Sequence, residues 1–221
     1  MEDLRCCLIS EPTGRRDARS MKVAFGIKAH SGWAVLVVVG ICDGDVMIVD
    51  RRRLELVDEE WVKHPYHAAL TLEAGPARRL VERGIARAQR ITVREMRALL
   101  RQEQERNNEA MACAVLVGNP MPDWSVEQIL AVHIRMHMAE GLLFQDALIR
   151  AAQAGGPKPV AIAEKRLVQH AETVLGMPES QLQEKLAALG KLVGPPWGRD
   201  QKDAALAAMI ALRGALGGAL N

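Results

Sequence analysis

The sequence predicts an α/β fold built on a mixed β-sheet. Three β-rich segments follow one another closely within residues 22–57, which is the pattern of an antiparallel meander. From residue 76 onward, segments with helical periodicity alternate with short apolar segments, as in parallel strands joined by helices. The chain has 221 residues, of which 49% are hydrophobic, so it is long enough for a sizeable core. We expect a single domain over residues 21–221.

The first three strands are predicted at residues 22–27, 32–41 and 46–57. The first two are separated by the turn-like residues 28–31, and a Gly-centred hairpin signal at residues 42–45 precedes the third. The apolar run within the second strand is about half the ~20 residues that a membrane-spanning helix needs. We therefore interpret it as a buried strand and expect no membrane partner.

Helical periodicity begins after the meander. Apolar residues recur at helical spacing through residues 76–106, which predicts one long helix or two helices with a break near residues 91–93. Residues 112–118 are predicted to form a strand. The sequence from Ser125 to Gln128 is typical of a capping box, and it opens a helix that is expected to reach about residue 154.

The last third of the chain contains one more strand and several helices. Residues 159–163 form a short apolar segment typical of a buried strand. Helical segments are predicted to end near Gly176 and Gly190, because glycine commonly terminates helices. A final Ala-rich helix is predicted to begin near Asp200.

The amino-acid composition and the absence of certain motifs exclude several classes of function. Aromatic residues make up only 3% of the chain, too few for a platform that stacks nucleic-acid bases, and the net charge of +2 indicates no particular partner. No GxSxG elbow or Gly-rich phosphate loop is present, so nucleophilic Ser or Cys chemistry has no support. The four cysteines lack CxxC spacing, and we expect reduced thiols in a cytoplasmic protein.

Residues 1–20 are polar and irregular and lack the pattern of a secretory signal. We expect a disordered tail there. The start of translation is open between Met1 and Met21.

Asp200 and Asp203 lie one helical turn apart where the last predicted helix begins. Two carboxylates at this spacing can contribute to a divalent metal site. The same spacing is also typical of helix capping, with Asp200 at the N-cap and a second acid three residues later. The spacing alone leaves both interpretations open.

Two short motifs resemble those of RuvC-type resolvases, which have the ribonuclease H-like fold. Residues 25–35, FGIKAHSGWAV, resemble the first-strand motif, in which Gly-Ile-Asp leads into a Gly-containing turn. Residues 200–208, DQKDAALAA, resemble the last-helix motif, in which an acid or His precedes an Asp by three residues. The resemblance implies a five-stranded mixed sheet, with three antiparallel strands followed by two parallel ones and helices on both faces.

In the nucleases that the chain resembles, acids from the first strand, the fourth strand and the last helix hold two divalent cations. This sequence has Lys28 at the first position and Asn119 at the second, so only Asp200 and Asp203 remain. An ammonium removes a ligand and adds positive charge, and both changes oppose metal binding. We expect Lys28 to pair with Asp200 or Asp203 in place of a cation. The alternative is a solvated lysine in a turn.

Glu164 follows the last predicted strand and is the one other acid that could restore the site, with a catalytic role only if the protein is an active nuclease. The alternative is an acid in the first turn of the next helix, where it is favourable to the helix dipole.

His133, His137 and Glu140 fall at i, i+4 and i+7 of a predicted helix, a spacing that places three possible metal ligands on one face. The alternative is histidines that pack or form hydrogen bonds without metal, because the HExxH arrangement is absent. His64 and His67 lie in a predicted loop and gain no independent support as ligands.

The arginines of the long predicted helix are spaced by threes and fours and should form one stripe. Between Ala77 and Arg101 only Glu82 and Glu95 are acidic, and this concentration of positive charge favours contacts with nucleic-acid phosphates. The alternative is an ordinary solvated surface, since Arg supplies 21 of the 29 basic residues of the chain. The stripe consists of Arg79, Arg83, Arg87, Arg90, Arg94, Arg97 and Arg101.

Three functions are compatible with these observations. The first is a catalytically degenerate ribonuclease H-like protein that binds nucleic acid or acts as a scaffold. The second is a divergent nuclease that cleaves branched DNA or RNA-DNA hybrid, and the third is a protein-interaction module. We expect no cofactor, with Mg²⁺ or Mn²⁺ required only for the second function. The sequence does not indicate an oligomeric state.

Overall fold

The computed structural model describes residues 20–42 and 44–217. The predicted N-terminal tail lies outside these residues except for Ser20. The predicted disorder of the tail and the alternative start at Met21 therefore stay predictions.

A five-stranded mixed sheet forms the centre of the fold. In the strand order β3-β2-β1-β4-β5, β1 and β3 each pair antiparallel with β2, while β4 pairs parallel with both β1 and β5. This sheet confirms the predicted architecture of three antiparallel strands followed by two parallel ones. The strands are β1 (Met21–His30), β2 (Trp33–Cys42), β3 (Asp45–Glu55), β4 (Asn108–Val117) and β5 (Lys158–Ala163).

Helices cover both faces of the sheet. They are α1 (Pro65–Ala68), α2 (Ala74–Glu105), α3 (Val126–Leu130), α4 (His133–Gln153), α5 (Leu167–Leu175), α6 (Glu179–Val193) and α7 (Arg199–Ala215). One apolar core lies between the sheet and helices α5, α6 and α7, and a second lies between the sheet and helices α2 and α4. None of the helices within residues 20–42 and 44–217 combines the length and apolar character that crossing a membrane requires.

Side chains of β1 alternate between these two cores, as the two-residue period of a strand requires. Phe25 and Ile27 pack in the core with α2 and α4, whereas Ala24 packs in the core with α7. Gly26 lies so close to α7 that an added Cβ would overlap the carbonyl oxygen of Ala204. Because α7 rests directly on β1, the next residue on this face, Lys28, points toward the first turn of α7.

The end of β1 differs from the prediction. Residues 28–31 were expected to form the turn, but β1 continues to His30, which pairs with Trp33 of β2. The turn therefore needs only residues 31–32, because Gly32 adopts a positive φ of 82°. Lys28 is thus a strand residue with a fixed direction.

The long helix α2 is continuous over its 32 residues, so the single long helix is confirmed and the alternative of two helices with a break near residues 91–93 is wrong. Ile91 and Thr92 are buried within it, and the Thr92 hydroxyl donates a hydrogen bond of 2.8 Å to the carbonyl of Ala88. This bond satisfies the buried hydroxyl inside the helix, which lets a β-branched residue remain there.

Two other helix boundaries differ from the prediction. The Ser125 capping box is confirmed, but the helix that it opens ends at Leu130 and a new helix begins at His133. Gly190 does not end α6, which continues to Val193, because Trp197 packs directly on Gly190 where a side chain would otherwise lie. Gly176 does follow the end of α5, with a φ of 68°.

Candidate functional site

Three elements meet at the edge of the sheet where the parallel strands end. Lys28 lies near the end of β1, Glu164 follows β5 directly, and Asp200 and Asp203 lie in the first turns of α7. The carboxyl ends of parallel strands collect polar groups at one edge of a sheet. We call these four residues the Lys28 centre.

The Lys28 ammonium contacts all three carboxylates. Its Nζ atom lies 2.8 Å from Oε1 of Glu164, 3.1 Å from Oδ1 of Asp200 and 2.8 Å from Oδ2 of Asp203. An ammonium has three N–H donors, so each donor has one carboxylate acceptor. The Lys28 side chain is 10% exposed, whereas those of the carboxylates are 21% to 39% exposed. Lys28 is therefore an enclosed cation and not a solvated turn lysine.

The electrostatic effects of this arrangement have opposite signs on the two kinds of group. Burial alone lowers the pKa of Lys28, but the hydrogen bonds to Asp203, Glu164 and Asp200 outweigh it and raise the pKa above its ordinary value. Burial alone raises the pKa of Asp200, but the hydrogen bond and charge of Lys28, together with His30, lower it below its ordinary value. Both shifts favour the charged forms that make up the centre.

His30 extends the centre along the same face of β1, two residues beyond Lys28. Its Nε2 atom lies 3.0 Å from Oδ2 of Asp200, and its ring stacks on Trp33 with a centroid separation of 4.1 Å. The guanidinium of Arg53 lies over the ring of Trp33, 4.0 Å from its centroid. His30 could not be predicted as part of the centre, because residues 28–31 were expected to form a turn, where the two-residue period of a strand does not apply.

The interpretation of Asp200 as a helix cap is wrong. The N-cap of α7 is Gly198, whose backbone N–H donates a hydrogen bond of 2.9 Å to the side chain of Gln201. Asp200 is instead the second residue of the helix, where a negative charge is favourable to the helix dipole. Its carboxylate is directed to Lys28 and His30, and so it is available to the centre.

The divalent cations that the resemblance implies do not fit the residues of the Lys28 centre. The three carboxylates that could ligate a cation all contact the ammonium of Lys28. Asn119, the other position that departs from the family pattern, lines an open groove together with Glu164 and Arg199 and contributes no negative charge. A cation bound by these carboxylates would lie directly beside an ammonium, and the arrangement favours an internal ion-pair cluster instead.

The predicted arginine stripe lies along α2 on the opposite face of the sheet from α7. Six of its seven arginines are exposed, and the exception, Arg87, is partly buried. The Arg87 guanidinium donates hydrogen bonds of 2.7 and 2.9 Å to Asp58 and lies 2.5 Å from Glu59. Arg83 lies over the ring of Trp61 at 5.3 Å. These two arginines hold α2 to the segment that follows β3.

The C-terminal part of the stripe forms a different environment. Four of its arginines line one open groove along α2, together with Ala86, Gln89 and Val93. We call this surface the arginine groove, and its arginines are Arg90, Arg94, Arg97 and Arg101. Arg94 also contacts Glu95 at 2.9 Å. The role of this surface in binding nucleic acid stays a prediction.

The three predicted ligands His133, His137 and Glu140 are not brought together as one set. His133 and His137 are exposed, whereas Glu140 is only 2% exposed and accepts hydrogen bonds from His64 and His67. His67 does lie beside His133 and His137. The sequence offered no local signal for this contact, because the segments involved are about 66 residues apart in the chain.

No protein-family model and no curated protein matches the sequence. Among solved structures, the fold is similar to RuvC of Thermus thermophilus, with a TM-score of 0.49 and 13% identity over 89% of this chain and 96% of that chain. The same protein in complex with a Holliday junction substrate gives a TM-score of 0.48 and 14% identity, again over 89% and 96%.

The yeast mitochondrial Holliday junction resolvase is also similar to the chain. It gives a TM-score of 0.46 and 10% identity over 90% of this chain and 81% of that chain.

Proposed function

We propose that this protein is a catalytically degenerate ribonuclease H-like module that binds nucleic acid. The observation that carries the proposal is the Lys28 ammonium, which contacts Glu164, Asp200 and Asp203 at 2.8 to 3.1 Å. An internal cation thus lies where the nucleases that the two sequence motifs resemble are expected to bind divalent metal. The centre then stabilises the fold and does not activate water.

Electrostatics supports this proposal. Two unit charges 4 Å apart interact by about 4 kcal/mol at an effective dielectric constant of about 20, so the Lys28 ammonium would cancel about 8 kcal/mol of the attraction that the carboxylates exert on a divalent cation at that distance. In hydrolysis with two divalent cations, the Lys28 ammonium would repel each of them. Retaining both Lys28 and a functional metal site would require the ammonium to move out of the carboxylates.

The arginine groove supports the nucleic-acid partner. Guanidinium groups donate paired hydrogen bonds to phosphate oxygens, and their charge releases counterions from the nucleic-acid backbone. From Arg90 to Arg101 the rise of a helix is about 16 Å, which corresponds to about five steps of duplex at about 3.4 Å per step. The groove therefore fits a short stretch of backbone and requires no base-stacking aromatic residues.

Binding can be tested by fluorescence anisotropy with duplex, four-way junction and RNA-DNA hybrid probes over a series of salt concentrations. We expect salt-sensitive binding by the wild type. The triple variant Arg90→Ala, Arg97→Ala, Arg101→Ala should bind more weakly, with a slope of log K against log salt that is smaller by about 2 to 3, because three phosphate contacts are lost.

A matched control removes three arginines outside α2, through Arg150→Ala, Arg166→Ala and Arg213→Ala. This control should retain the wild-type salt slope. Absence of wild-type binding at low salt, or an equal loss in both triple variants, would refute the proposed surface.

Cleavage of the same probes in Mg²⁺ or Mn²⁺ tests the degenerate centre. We expect intact probes with the wild type and with Asp203→Asn. Cleavage by the wild type that disappears in Asp203→Asn would overturn the proposal and identify a divergent nuclease instead.

A further inference from the structure

Four of the six histidines of the chain meet where α1 packs against the first turns of α4. The ring centroids of His67 and His133 are 5.2 Å apart, those of His67 and His137 are 4.7 Å apart, and those of His133 and His137 are 4.6 Å apart. One nitrogen from each of these three rings lies within 4.8 Å of the others. Three imidazoles at this separation can share one metal ion.

His133 and His137 form one side of this cluster. They lie one turn apart on α4, both are exposed, and their Nε2 atoms are 3.0 Å apart. Two imidazoles that bind a tetrahedral zinc ion at about 2.0 to 2.1 Å have nitrogens separated by about 3.3 to 3.4 Å. A small rotation of two exposed side chains is therefore sufficient to admit the ion.

His67 forms the other side, and the buried Glu140 fixes its orientation. The Nδ1 atom of His67 lies 2.7 Å from Oε2 of Glu140. This contact occupies Nδ1 of His67 and leaves Nε2 as the nitrogen that can bind a metal ion. In zinc sites, a carboxylate that contacts the second ring nitrogen of a histidine orients that histidine as a ligand.

Glu140 is itself fixed by the residues around it. Its Oε1 atom accepts hydrogen bonds of 3.0 and 3.1 Å from the backbone N–H groups of Tyr66 and His67. Its Oε2 atom is also 3.0 Å from Nδ1 of His64. Both carboxylate oxygens of Glu140 accept hydrogen bonds, and the side chain is only 2% exposed. Glu140 is therefore not itself a ligand in this cluster, and it orients the ring of His67.

We propose that His67, His133 and His137 bind one zinc ion, with the fourth coordination position open to solvent. Imidazole ligands select zinc or similar transition metals over Mg²⁺, which prefers oxygen ligands. The bound ion joins α1 to the start of α4. The site shares no residue with the Lys28 centre or the arginine groove, so it stands independently of the proposed function.

A zinc titration of the full chain tests the site. The protein is stripped with a chelator and titrated with Zn²⁺ in competition with a chromogenic zinc indicator, with excess Mg²⁺ present to saturate carboxylate sites. We expect one zinc ion per chain. His133→Ala and His137→Ala should each lower the affinity by about 100-fold or more, and Glu140→Gln by about 10- to 100-fold.

His170→Ala provides the matched control, because His170 is an exposed histidine on α5. It should bind zinc like the wild type. In the metal-free state, His133→Ala and His137→Ala should melt like the wild type, since both side chains are exposed. These two variants therefore decide the question even if Glu140→Gln does not fold.

Two results would overturn the proposal. The first is a wild type that binds zinc no more tightly than His133→Ala. The second is loss of binding in His64→Ala with full binding in His133→Ala, which would assign the ion to His64, His67 and Glu140 instead.

Discussion

Replacing Lys28 with alanine removes the cation that three carboxylates share. Each of its contacts, 2.8 to 3.1 Å long, corresponds to about 5 to 6 kcal/mol of gross attraction at an effective dielectric constant of about 20. Desolvation of the ammonium and repulsion among the carboxylates offset most of this attraction. Removing one partner of a fully buried ion pair costs about 3 to 5 kcal/mol. Because water reaches the 21% to 39% exposed carboxylates, we expect Lys28→Ala to lower the free energy of unfolding by about 2 to 4 kcal/mol.

Magnesium should restore part of this loss in the variant only. The three carboxylates of Lys28→Ala are free to bind a divalent cation, and Mg²⁺ at about 100 times its dissociation constant adds about 2.7 kcal/mol of stability. The wild type should gain none at this centre, because the Lys28 ammonium already occupies the space between the three carboxylates. Imidazoles bind Mg²⁺ weakly, so the histidine cluster does not interfere.

The assay is urea unfolding followed by circular dichroism, with and without Mg²⁺. Lys63→Ala is the control, because Lys63 pairs with the exposed Glu60 at the surface and its loss should cost at most about 1 kcal/mol. If Lys28→Ala unfolds like Lys63→Ala, or if Mg²⁺ stabilises the wild type as much as Lys28→Ala, then Lys28 does not act as the shared cation of the three carboxylates.

Three further predictions concern the packing and charge of the centre. Gly26→Ala should lower the free energy of unfolding by about 3 kcal/mol or more, because the added Cβ overlaps the backbone of α7. Gly141→Ala, with no atom near the added Cβ, should be neutral or stabilising by up to about 1 kcal/mol in the same urea experiment. The stability difference between wild type and Lys28→Ala should depend on pH at both extremes. The part due to Asp200 is present above its ordinary pKa of 3.8 and is lost as pH falls through its lowered pKa. The part due to Lys28 is present below its ordinary pKa of 10.5 and is lost as pH rises through its raised pKa. A flat difference from acid to alkali, measured by unfolding at a series of pH values, would contradict this. Arg51→Ala should destabilise the protein by about 2 to 3 kcal/mol and speed amide exchange just before α7, because its guanidinium donates to four carbonyls of residues 193–196. Unchanged amide exchange just before α7 in this variant would contradict the predicted role of Arg51.

The element order could be predicted from the sequence because it depends on local patterns, with strand periods in residues 22–57 and helical periods in α2 and α7. The pairing of Lys28 was implied instead by the resemblance of two short motifs to those of RuvC-type resolvases. The exact turn could not be predicted in the same way. Gly32 takes a positive φ, which lets a two-residue turn replace the expected four-residue one.

The histidine cluster could not be predicted as it is, because its members come from distant parts of the chain. The spacing of His133 and His137 identified one side of it, but the same spacing grouped them with Glu140. The fold instead buries Glu140 against the segment that carries His64 and His67. That segment is a short 3-10 helix and a four-residue α-helix, neither of which has enough residues to show a period.

Calorimetric titration with Mg²⁺ tests whether Lys28 takes the place of a divalent cation. We expect no stoichiometric Mg²⁺ binding by the wild type. Lys28→Asp, which adds a fourth carboxylate to the three already there, should bind Mg²⁺, and adding Asp203→Asn should abolish that binding. Stoichiometric Mg²⁺ binding by the wild type that Asp203→Asn abolishes would show instead that the metal site is intact.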